Sequence, residues 1–98
     1  MVRGRAEVRE LFRISRIGTI AGCRVIDGVI PRRASIRVSR DGAVVYEGPI
    51  ENLKHFKDDV REVREGFECG IKIAGYDDVK VGDVLEAFET EEIKRTLS

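Results

Sequence analysis

No apolar run in this chain approaches the roughly 18 to 20 residues that a membrane helix needs. The opening MVRGRAEVRE has no apolar stretch behind its arginines, so it does not read as a signal peptide. Cysteine is scarce: Cys23 and Cys69 lie far apart in sequence and form no CxxC metal pair. No HExxH is present, and no GxxxxGK[ST], so zinc and P-loop nucleotide chemistry have no recognisable residues. The one histidine, His55, has no adjacent nucleophile in sequence. A catalytic pairing with Cys23 or Cys69 is open on spacing alone, but nothing else marks a poised thiolate. Net charge of one sign is also missing: 18 basic and 18 acidic side chains give a formal zero. That argues against non-specific coating of nucleic acid and leaves room for a local basic patch.

What is present fits one small domain. The 98 residues are 42 % hydrophobic and 37 % charged, with ten glycines spread along the chain. The pattern predicts a single domain over 1–98, with residues 1–5 and 95–98 as flexible ends. In AEVRELFRI, Ala6, Val8, Phe12 and Ile14 share one parity, while Glu10 and Leu11 break the two faces. GTIAGCRVIDGVI suits a strand, a bend and a short return. SIRVSRDGAVVYE is a hairpin, with Asp41-Gly42 as a two-residue turn that tolerates positive φ. FECGIKI is a strand with Cys69, Ile71 and Ile73 on one side, and a last strand falls near Val84 to Phe88. Many short strands with glycine turns predict an all-β, closed or nearly closed barrel.

One segment is ambiguous. Ile50, Leu53, Phe56, Val60 and Val63 recur at helical spacing. The closely preceding hairpin and the pair Asp58-Asp59 argue instead for a turn.

Several residues carry two readings. Cys23 shares parity with Ala21 and Val25, and Cys69 with Ile71 and Ile73, so both are small inward hydrophobes or the wall of a shallow apolar pocket. KHFK, at Lys54 to Lys57, is an ordinary solvated run or a phosphate contact beside a stacking ring. His55 by itself reads as a surface residue. Glu68 could accept a hydrogen bond from a ligand or pair with a cross-strand cation.

Taken together, AEVRELFRISRIGTIAGC, VSRDGAVVYEGPIENLKHFKDDVREV, GFECGIKI and YDDVKVGDVLEAFE resemble the C-terminal domain of bacterial translation initiation factor two, over about Ala6 to Leu97. The likeness extends more loosely to domain II of translational GTPases such as elongation factor Tu. The resemblance implies a small closed six-stranded β-barrel. It implies a non-enzymatic module binding the formylmethionyl group and CCA acceptor end of initiator tRNA, with the ribosome as a further partner of the full-length factor. Docking onto ribosomal or protein surfaces is the alternative. The resemblance further implies a cytoplasmic monomer with no membrane partner and no cofactor of its own, GTP being bound in a separate domain.

The family's ligand-contacting positions fall on Cys23, Lys54, His55, Glu68, Cys69 and Gly70. Arginine is common in the family where this chain has His55, a change that removes a bidentate donor. The resemblance also makes Glu51 to Lys57 a strand and Asp58 to Gly66 a loop with room for one helical turn.

Overall fold

A computed structural model of the chain describes residues 1–89. Eight strands occur in chain order: β1 (Val2–Ile14), β2 (Gly18–Pro31), β3 (Ser35–Arg40), β4 (Ala43–His55), β5 (Asp58–Asp59), β6 (Glu62–Arg64), β7 (Glu68–Ile73) and β8 (Val84–Phe88). Six of them close on themselves in the order β1-β8-β3-β4-β7-β2, with β2 returning to β1. This is the expected closed six-stranded barrel, and the closure leaves no barrel edge unpaired. The short β5 and β6 are appendages, pairing with β4 and β2. Among the described residues no helix is long and apolar enough to cross a membrane.

Alternation builds the core. Ala6 and Val8 of β1, Ala21, Cys23 and Val25 of β2, Ile36 and Val38 of β3, Leu53 of β4, Ile71 of β7 and Leu85 of β8 are all buried. The β3–β4 hairpin turns at Asp41 and Gly42, with φ of 54° and 82°, as the Asp-Gly pair requires. β8 occupies the expected residues.

Two β-bulges explain where simple alternation misleads. In the β1–β2 ladder Val8 opposes Cys23 and Glu10 opposes Gly22, so Arg9 is an extra residue. Beyond it the parity reverses: Leu11 packs against the core, while Phe12 and Ile14, expected on the inward parity, are exposed. In the β4–β7 ladder Ile50 opposes Ile73 and Asn52 opposes Lys72, leaving Glu51 extra. The bulge lets Ile50 and Leu53, three residues apart, both face inward from a strand. The apparent helical period over 50–63 is therefore a bulge in β4 followed by a turn. The stretch assigned to a loop with a helical turn, Asp58 to Gly66, instead contains β5 and β6, and β4 ends at His55 rather than Lys57.

The chain ends also differ from expectation. Val2 to Arg5, expected as part of a flexible end, lie in β1, with Gly4 opposite both Gly28 and Ala87. The other expected flexible end, 95–98, falls outside the described residues.

Buried charges are compensated. Lys72, 4 % exposed, donates from Nζ to the Ile73 carbonyl at 2.9 Å and meets Asp77 at 3.2 Å. Asp83 accepts from Arg40 Nε and Nη2 at 2.9 and 2.8 Å and from the Lys80 N–H at 2.9 Å. Burial pushes Asp83 up, but these bonds together hold its carboxyl below the usual carboxylate range. They tie the segment before β8 to the barrel.

Candidate nucleic-acid interface

Beyond Glu7, β1 leaves β8 and continues with β2 as a two-stranded arm. Between this arm and the barrel wall lies an open groove of about 950 Å³. One side is the arm, with Arg9 to Ile14 and Ile20. The other is the wall made by β2, β7 and the end of β4, with Gly22, Cys23, Lys54, Phe56, Lys57, Glu68, Cys69 and Gly70.

The floor is made by two glycines. Gly22 and Gly70 face each other across the β2–β7 ladder, and Lys54 is opposite Gly70 on β4. With no side chains there, other groups can approach the backbone closely. A Cβ on Gly22 would lie 2.9 Å from Phe12 Cε2, and one on Gly70 would lie 3.3 Å from Ile20 Cγ2. Phe12 and Ile20 of the arm therefore pack onto the glycine floor, and a ligand reaching it would displace the ends of these side chains.

At the groove's end the chain turns through Phe56, whose φ is +60°. That is an uncommon conformation for a bulky residue, and Phe56 is 79 % exposed. Four cations, Arg9, Arg13, Lys54 and Lys57, border the groove against two carboxylates, Glu10 and Glu68. The lining thus carries more cations than carboxylates although the chain is neutral overall, with Arg9 also paired to Glu7 at 3.2 Å.

Five of the six residues expected at the site border this one groove: Cys23, Lys54, Glu68, Cys69 and Gly70. His55 does not. Next to Lys54 on a strand, it points to the opposite side and lines a smaller apolar hollow with Val60, Val63 and Phe67. Its Nδ1 donates to the Glu68 carbonyl at 2.8 Å, and its ring packs on Phe56 at 4.4 Å. His55 thus braces two groove residues from behind. Among the described residues no ion pair joins Glu68 to Lys54, and the residue across from Glu68 on β2 is Arg24.

The two cysteines are opposite each other, Cys23 on β2 and Cys69 on β7, and both belong to the core. They border the groove with side chains only 2 % and 5 % exposed. Both are reduced, and the Cys23 thiol donates to the Ala21 carbonyl at 3.4 Å. Burial, and then the neighbouring Cys69, pushes the Cys23 thiol well above its ordinary range. Burial alone pushes the Cys69 thiol up to about 12. Neither thiol bonds to His55 among the described residues, so the cysteine–histidine pairing finds no geometry. At pH 8 a thiol of that acidity is ionised to about one part in 10⁴. Iodoacetamide at pH 8 is accordingly expected to leave both thiols unmodified in the folded protein and to alkylate both in urea, as read by intact mass. Rapid alkylation in native buffer would contradict this packing.

Sequence reasoning missed Gly22, Phe12 and Ile20. Glu10 and Leu11, which spoil both faces of β1, were the available sign that Phe12 turns outward. Among the described residues no group of three or more histidine, cysteine, aspartate or glutamate side chains could hold a metal ion.

Residues 18–86 match the family model described as elongation factor Tu domain 2. The chain belongs to this family. Within it, the chain is 59 % identical over 97 residues to translation initiation factor IF-2 of Magnetococcus marinus, covering 99 % of this chain and 10 % of that protein. It is 58 % identical over 94 residues to IF-2 of Staphylococcus aureus, covering 96 % of this chain and 13 % of the relative. The chain therefore spans only about a tenth of the length of the curated relatives it matches. The structure titled "Crystal structure of GDP-bound aIF5B from Aeropyrum pernix" superposes with a TM-score of 0.73 at 22 % identity, covering 90 % of this chain and 17 % of the other. At that identity the likeness concerns the barrel fold. All the groove residues lie within the IF-2 matches in extent, and Gly22, Cys23, Lys54, Glu68, Cys69 and Gly70 lie within the family match as well.

Proposed function

We propose that this domain binds the formylmethionyl group and CCA acceptor end of initiator tRNA, as the tRNA-binding part of a translation initiation factor working in the cytoplasm with the ribosome. The observation that carries the proposal is the 59 % identity to IF-2 over nearly the whole chain, joined to a positively bordered groove with a glycine floor. GTP binding and hydrolysis belong to another part of such a factor. The domain itself performs no chemistry.

The groove's parts suit the ligand. A methionine side chain is unbranched and polarisable, and it fits against the Gly22–Gly70 floor between Phe12, Ile20 and Phe56, where sulfur–aromatic contact adds to apolar burial. Cys23 and Cys69 support that floor from the core side. Lys54, beside Gly70, is placed for the ester end, and Lys57, Arg9 and Arg13 are placed for phosphates of the acceptor strand. Glu68 is held by His55 through its backbone, so His55 acts as a positioning residue and not as a ligand contact.

Discrimination follows from charge. Formylation turns the α-ammonium into a neutral formamide. An unformylated ammonium would have to be desolvated in a groove bordered by four cations and two carboxylates, an unfavourable placement unless it meets a carboxylate directly. Docking through protein contacts alone gives no such dependence on formylation.

The test is spontaneous hydrolysis of the aminoacyl ester. Saturating domain is expected to slow hydrolysis of formylmethionyl-tRNA several-fold and to protect unformylated methionyl-tRNA much less. Equal hydrolysis with and without the domain would reject acceptor-end binding and favour the docking alternative.

A further inference from the structure

A second cluster of cations lies elsewhere on the barrel and shares no residue with the groove. Arg3, Arg32, Arg33 and Arg61, with Pro31 and Glu62, line a pocket of about 460 Å³ at the far end of β2. Three separate segments are locked together to form it. The Ala34 N–H donates to the Pro31 carbonyl at 3.1 Å, closing a tight turn that displays Arg32 and Arg33. The Arg32 N–H donates to the Arg61 carbonyl at 2.7 Å, fixing that segment against the turn. Arg3 enters from β1 and bonds Glu89 at 2.8 Å.

The charge there is only partly met. Glu89 also takes Arg33 Nε at 3.4 Å, so one carboxylate serves two guanidinium groups. Arg32 Nη2 donates to the Glu51 carbonyl at 3.0 Å, which satisfies a donor without neutralising its charge. Arg61 is exposed and has no ion pair among the described residues. Arginines gathered on a backbone held in place, with spare planar donors on their side chains, suit an oxyanion.

We infer that this arginine pocket holds a phosphate group of an RNA backbone, as a second RNA contact separate from the acceptor-end groove. It rests on the preceding reading for the class of partner. A pocket of this volume has room for the phosphate together with its sugar. Such a contact positions RNA without reading its sequence.

The test uses the whole chain and a fluorescein-labelled RNA duplex carrying no aminoacyl group, followed by anisotropy across a salt series. Each neutralised phosphate contributes about 0.7 to 0.9 to the slope of log affinity against log salt, so the double variant Arg33→Gln/Arg61→Gln, which removes the one phosphate contact, is expected to lower the slope by about 0.7 to 0.9 and low-salt affinity about tenfold. Lys80→Gln removes a charge outside the pocket and is expected to leave the slope unchanged. An unchanged slope in the double variant would overturn the site. An equal fall per charge with Lys80→Gln would reduce the effect to overall charge and overturn it too. Displacement of the RNA by inorganic phosphate, at concentrations where chloride of the same ionic strength has no effect, would make it a small-anion site and overturn the RNA assignment. Ester protection of formylmethionyl-tRNA reports on the groove alone and is expected to survive in the double variant. Failure of that protection in the unmodified chain would reject the acceptor-end reading while leaving the salt-slope result to stand or fall by itself.

Discussion

Gly70→Leu is expected to weaken protection of the formylmethionyl ester by about 10- to 100-fold while leaving the barrel folded. Gly70 has ordinary strand geometry, and a Cβ there meets only the far end of one flexible side chain, Ile20, at 3.3 Å. A leucine would therefore project from the floor into the groove rather than into the barrel. Displacing the methionine side chain forfeits burial worth about 1.5 to 3 kcal/mol, which is one to two decades in affinity. The substitution separates floor from core in a way the cysteines do not. Cys23 and Cys69 are almost wholly buried, so enlarging either overpacks the interior at a cost of about 1 to 3 kcal/mol and confounds binding with stability. The measurement is a titration of ester protection, with urea denaturation as the folding control. Undiminished protection by a folded Gly70→Leu chain would place the ligand away from the glycine floor.

The second large effect concerns folding. Gly28→Ala is expected to destabilise the domain by at least about 3 kcal/mol, a large part of the 5 to 15 kcal/mol typical of small domains. Gly28 has φ of +65°, and a Cβ would lie 2.2 Å from the Arg3 carbonyl oxygen and 3.0 Å from the Gly4 Cα. Both obstacles are backbone, so neither can rotate away. Gly42→Ala is the matched comparison: φ is +82° in the β3–β4 turn, and nothing lies within 4 Å. It bears only the left-handed backbone cost, about 1 to 2 kcal/mol. Paired urea titrations read the difference directly. Equal midpoints for the two variants would mean that β1 and β2 are not in close backbone contact at Gly28.

What the sequence revealed divides along local and non-local lines. The Asp41-Gly42 hairpin, the strand near Val84 to Phe88 and the inward row Cys69, Ile71 and Ile73 depend on residues adjacent in the chain, and all three are as expected. The bulges at Arg9 and Glu51 depend on which strand lies opposite; Glu10 and Leu11 mark the first only as a break in alternation, and the second imitates a helical period. Because of the first, Phe12 turns into the groove instead of the core. Because of the second, a strand imitates a helix over 50–63. The site shows the same division. Resemblance marked Cys23, Lys54, Glu68, Cys69 and Gly70, which the barrel then gathers around one groove. It grouped His55 with them, whereas the ring lines the smaller hollow with Val60, Val63 and Phe67. The opposition of Gly22 and Gly70 arises only when β2 and β7 come into register.

The extra residue at Arg9 makes β1 two strands in opposite phase. Before it, even-numbered positions such as Ala6 and Val8 answer to the interior and odd ones face water. After it, Leu11 answers to the interior and the even-numbered Phe12 is released to the groove. The two halves can therefore diverge under separate demands. The stave is held by the need to close a ring, and the arm by whatever it must grip. One continuous strand thus carries a half that faces the core and a half that borders the groove, divided at a single residue.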